Sequence, residues 1–142
     1  LADVYDPIEI FYKLISSAYD WESVDVKVVK AYEYKNIDLR TADYIIVESA
    51  TERDEFLGIG AMEFIRFVNL TFSVKTMASR FRVREISEKV REILRKKENW
   101  FIDDHLLLNL RIVRENDRSD IERGIFSQNF EVEWFEIEKR AV

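Results

Sequence analysis

The chain has 142 residues, a formal net charge of −6, one histidine and no cysteine. That length suits one domain able to bury a substantial core, and the missing thiols exclude disulfides, cysteine nucleophiles and cysteine-ligated zinc. The acidic balance argues against a general nucleic-acid binder, which needs uncompensated Lys and Arg to neutralise phosphates.

Charged residues reach 35%, and with one Pro and three Gly they describe a short-looped, strongly charged fold. High Glu, Lys and Arg with two Met and a single glutamine, Gln128, is the bias of a heat-adapted protein. Asp3, Asp6, Glu9 and Asp20 interrupt the first twenty residues, so no secretory signal is visible. No stretch approaches the ~20 apolar residues of a membrane span. A cytoplasmic address is the default, and Leu1 in place of a start methionine points to a trimmed beginning.

Asp6-Pro7-Ile8-Glu9 sets an N-cap acid, a proline at the first helical position and a Glu three residues after the cap. Ile8, Phe11, Tyr12, Ile15, Ala18 and Tyr19 follow at helical spacing, predicting a helix from 7 to about 19. Val24 to Tyr34 and Asp43 to Ser49 read as strands, separated by a turn around Lys35-Asn36-Ile37-Asp38. Thr51 to Glu55 reads as a charged loop leading to Gly58-Ile59-Gly60. That pair of glycines has neither the third glycine nor the following helix of a dinucleotide-binding turn. Residues 62–77 give a long strand, with Met62, Phe64, Val68, Leu70, Phe72 and Val74 on one face. A helix over about 79–98 carries the stripe Val83, Ile86, Val90, Ile93 and Leu94. Glu85–Lys89 and Glu92–Lys96 are spaced as supporting ion pairs. Strands around 106–112 and 126–134 flank a polar hairpin loop at 115–124. After Trp134 the apolar positions move to Phe135 and Ile137, which predicts a bulge or a strand leaving the sheet. The order predicts a single α+β domain over residues 1–142: a mainly antiparallel or mixed sheet of four to five strands, with two helices packed on one face.

Asp103, Asp104 and His105 are the one place where metal-ligand types cluster. Consecutive residues do not easily face one ion, and the same segment suits a solvated turn. No nucleophile-elbow spacing accompanies the histidine, so neither a catalytic group nor a cofactor is assigned. Arg80, Arg82 and Arg84 stand at a helix N-terminus, where the dipole opposes cations. They pair with acids inside the fold or meet an acidic partner or phosphate. Asp117, Arg118, Asp120, Glu122 and Arg123 of the hairpin loop form a second charged group, either a solvated tip or a contact between subunits.

A buried "DYIIV", the long strand "MEFIRFVNLTFSVKT", the helix "SRFRVREISEKVREIL" and the closing "LRIVRENDRSDIERGIFSQNFEVEW" follow one another directly. That succession resembles the tail-terminator and tail-completion proteins of long-tailed viruses and proviruses. It spans nearly the whole chain and rests on element order, with no diagnostic short motif. The resemblance implies a non-enzymatic protein of the virion that forms a ring, typically hexameric, joining the tail tube to the head-side connector. It implies no catalytic residues, and the charge balance and lack of an apolar span lead us to expect neither a membrane nor a sequence-specific nucleic-acid partner. Two other readings of the residues stand beside it: a small regulatory or ligand-binding module acting as a dimer, and a metal-dependent hydrolase using Asp103, Asp104 and His105.

Overall fold

A computed structural model describes residues 4–32, 37–56 and 63–139. Helix α1 (Pro7–Ala18) leads through a 3-10 turn (Trp21–Val24) into β1 (Val26–Lys30). Strands β2 (Asp43–Phe56) and β3 (Glu63–Thr76) precede helix α2 (Arg80–Arg95). A second 3-10 turn (Lys97–Trp100) and the small hairpin of β4 (Phe101–Ile102) and β5 (His105–Leu106) follow, then β6 (Leu108–Asp117) and β7 (Phe126–Lys139). The main sheet runs β1-β2-β3-β7-β6. It is mixed, because β1 lies parallel to β2 while the other pairs are antiparallel. The α+β class and the strand number are those the sequence predicts.

Both helices cover the same sheet face. Phe11 and Ile15 of α1 and Ile86, Val90 and Ile93 of α2 share one core with Ile45, Val47, Leu70, Phe72, Val74, Phe130 and Val132. Aromatic rings knit its centre: Phe72 stacks on Phe130 at 4.9 Å, and Phe11 lies 5.1 Å from Phe72 and 6.1 Å from Trp134. The apolar face of α1 is rotated from the expected one. Ile10 and Leu14 are buried, while Ile8, Tyr12, Ala18 and Tyr19 pack at its margin.

The Asp6 carboxylate caps α1 as expected, accepting from the N–H groups of Ile8 and Glu9 at 3.1 and 3.3 Å. Neither helix ends on a glycine. Instead Trp21 Nε1 donates to the carbonyl of Ile15 at 2.8 Å, and Trp100 Nε1 donates to that of Leu94 at 2.8 Å. Each indole satisfies a carbonyl left over in the last helical turn. Left-handed backbone falls mostly on Asp and Asn: Asp25, Asp103, Asp104 and Asn109 have φ between 47° and 66°. These are the non-glycine residues that tolerate that region best.

Three expectations need correction. Residues 51–55 are strand: Thr51 through Phe56 pair in register with Asn69 back to Phe64. Their charges mark two solvent-facing sides of a ribbon, because this part of β2 lies beyond both helices. Residues 135–139 stay in the sheet, since β7 keeps an unbroken register with β3 from Phe126 to Lys139, and the irregularity opposite Trp134 lies on the β6 side, between Leu108 and Arg111. The apolar positions change there because Glu136 occupies the helix-side face and is 4% exposed, while Phe135 pairs with Phe67 on the other side. Helix α2 ends at Arg95, and residues 97–100 tighten into a 3-10 turn. Lys35, Asn36, Met62 and the Gly58-Ile59-Gly60 segment lie outside the described residues.

Candidate functional site

Strand register sorts the charged groups to two ends of the sheet. Thr76 of β3 pairs with Phe126 of β7, so the start of α2 and the β6–β7 hairpin tip share one end. Glu63 pairs with Lys139 and Phe64 with Phe56, so the β2–β3 arm is at the other. A 14-residue strand rises about 45 Å, which separates the two ends.

At the first end the three arginines have different fates. Ser79 caps α2, its hydroxyl accepting the N–H of Arg82 at 3.0 Å. Arg82 Nε donates to Asp43 Oδ2 at 2.7 Å, Nη1 donates to Glu85 at 2.6 Å, and Nη2 reaches the carbonyl of Val24. Burial works to lower the Arg82 pKa, and the hydrogen bonds to Asp43 and Glu85 outweigh it and raise it. Arg82 is therefore a fastener between α2, β2 and the first 3-10 turn, which removes it from the groups free to meet a neighbour. Arg80 lies 3.7 Å from Asp117 of its own chain, both well exposed. Arg84 is exposed and makes no ion pair among the described residues. The two charged groups singled out in the sequence thus adjoin each other within one subunit.

The hairpin tip is built by its acids. Asp117 accepts the N–H of Ser119 at 2.8 Å, and bonds from Ser119 hold its carboxyl below the usual carboxylate range. Asp120 exchanges backbone bonds with Ile125 at 2.8 and 2.9 Å and lies 3.5 Å from Arg123. Gly124 supplies the left-handed residue at φ 69°. Arg118 is exposed and unpaired among the described residues. Sequence reasoning missed the apolar members of this end: Phe81 and Ile121 are each 73% exposed. The signal was present, since Phe81 falls outside the α2 stripe and Ile121 stands alone in a polar loop.

The far end holds a polar cluster that was not foreseen. The Tyr5 hydroxyl donates to Glu136, and Glu136 Oε1 lies 2.8 Å from His105 Nδ1. The Arg66 guanidinium sits 4.0 Å over the Tyr5 ring and donates to Glu138 at 2.7 Å. Burial, reinforced by Glu136, pushes the Tyr5 phenol far above its ordinary value. Asp103 and Asp104 form the β4–β5 turn, with Asp103 2.7 Å from Lys13. His105 points instead to Glu136. Asp103 and His105 thereby turn to separate partners, and among the described residues no three His, Asp or Glu are grouped to hold a metal ion. The β2 part of the arm is exposed throughout and presents Glu52, Asp54, Glu55 and Phe56. Among the described residues no helix is long and apolar enough to cross a membrane.

No protein-family model and no curated protein matches the chain. The solved virion of a native gene transfer agent (GTA) particle contains a chain that superposes with a TM-score of 0.60. The superposition covers 91% of this chain and 85% of that one. The two chains share one fold. At 14% identity the likeness establishes the fold alone.

Proposed function

We propose that this chain is a non-enzymatic structural protein of a virion, of the tail-completion kind, whose copies form a ring between the tail tube and the head-side connector. The observation that carries this reading is the shared fold with a chain of the GTA virion across most of both chains. The ring, of six copies as in the resembling family, requires head-to-tail contacts between two different surfaces of each subunit. The α2–hairpin end offers one: Phe81 and Ile121 as apolar anchors, with Arg84 and Arg118 around them and Arg123 held to Asp120 beside them. Aromatic anchors ringed by arginine are typical of strong contact centres. The β2–β3 arm offers the other, with Phe56 and the acids Glu52, Asp54 and Glu55 on its exposed strand, where Asp54 is partly balanced by Arg66 and Glu55 by Arg53. Arg80 and Asp117 neutralise each other within a subunit and contribute less, and Arg82 belongs to the fold.

Light scattering at high protein concentration tests the proposal. Association should weaken with salt, as charged rims do, and should fall on Arg84→Glu or Phe81→Asp. A stable two-fold dimer indifferent to salt and to both substitutions would overturn it in favour of a dimeric binding module.

A further inference from the structure

Arg80, Arg84, Ser87 and Arg91 are spaced four, three and four residues apart, so they share one face of α2. They line a cleft of about 340 Å³ against the base of the β6–β7 hairpin, with Asp117 and Gln128 opposite. Like charges one turn apart destabilise a helix, and cations at its N-terminus oppose the dipole. Internal partners offset this unevenly. Arg91 bonds to Glu88 and Glu115, Arg80 has Asp117 at 3.7 Å, and Arg84 has no ion-pair partner among the described residues. Ser87 is 1% exposed, yet its hydroxyl has no hydrogen-bond partner. It forgoes even the bond to the carbonyl four residues back that a helical serine commonly makes.

We propose that this cleft seats a small oxyanion, a phosphate or carboxylate group, with Arg84 as its countercharge and Ser87 and Gln128 as neutral donors. Asp117 shares the cleft, and Arg80 at 3.7 Å balances its charge, which leaves Arg84 as the cation without an ion pair among the described residues. The inference goes beyond the assembly reading and stands without it, since a single dilute subunit suffices.

Thermal melts of dilute protein in sodium phosphate, sodium acetate and sodium chloride at matched ionic strength test it. Phosphate or acetate should raise the melting temperature saturably where chloride does not. A stronger response to phosphate assigns a phosphate group, and a stronger response to acetate assigns a carboxylate. Arg84→Gln should raise the half-saturating concentration about tenfold, the loss of one charge-assisted bond. Ser87→Ala should melt higher than the parent in chloride, because it removes an unsatisfied buried hydroxyl, and respond less to the anion. Equal shifts in all three salts, or an unchanged response in Arg84→Gln, would overturn the proposal.

Discussion

Replacing Arg82 with Ala should cost far more than the same change at Arg84, although the two arginines stand two residues apart. Arg82 is 22% exposed and Asp43 14%, so their bond at 2.7 Å is shielded from water on most sides. A hydrogen bond to a charged group contributes about 1.5–3 kcal/mol, and the one to the Val24 carbonyl adds about 1 kcal/mol. The Glu85 leg, whose carboxylate is 52% exposed, adds little, about 0–0.5 kcal/mol. Thr76 still donates to Asp43 after the substitution and limits the loss. The sum is about 2–4 kcal/mol, or roughly 6–12 °C in melting temperature for a domain of this size. Arg84→Ala should stay within about 0.5 kcal/mol. Urea denaturation of Arg82→Ala, Asp43→Asn and the double variant would measure the coupling, which should exceed about 1 kcal/mol. Equal stabilities for Arg82→Ala and Arg84→Ala would refute the fastener and return Arg82 to the surface.

Val90 is fully buried in the core, so Val90→Asp should unfold the domain or cost several kcal/mol; a thermal melt within a few degrees of the parent would contradict the packing. Trp21→Phe keeps an aromatic ring but loses the bond to the Ile15 carbonyl and part of the buried indole's packing, and should cost about 2–3 kcal/mol in denaturant titration. Tyr5 has a folded-state pKa raised above its ordinary 10.0. Its stabilisation is therefore complete below pH 10 and is lost as pH climbs further, because the unfolded chain ionises first. Tyr5→Phe should flatten the alkaline fall of the melting temperature, and an unchanged slope would count against a buried, neutral phenol.

What could be read from the sequence is what local chemistry decides. Asp6 and Pro7 start α1 whatever surrounds them, and the alternation from Val68 to Val74 needs only one buried face. Where the partner is remote, the reading went astray. Thr51 to Glu55 are too charged to look like a strand, but an arm beyond the helices is wet on both sides, and backbone pairing to β3 holds it. The shift to Phe135 and Ile137 mimicked a strand leaving the sheet because the carboxylate of Glu136 replaces an apolar residue. Its partners, Tyr5 and His105, come from far along the chain. At the candidate site, counting charges singled out the arginines of α2 and the charged residues of the hairpin as two separate groups. It could not show that Asp43 occupies Arg82, or that Arg80 and Asp117 face each other in one subunit.

The cysteine-free chain allows a direct test of head-to-tail assembly. Cysteines placed at Glu55 on the arm and Ile121 on the hairpin tip, about a sheet length apart, cannot pair within one subunit. Oxidised at high concentration, the double variant Glu55→Cys/Ile121→Cys should give a ladder of covalent oligomers on a denaturing gel, ending at the ring. Each single variant should remain monomeric. Covalent dimers from Ile121→Cys alone, with no ladder from the double variant, would show a two-fold contact and contradict the ring.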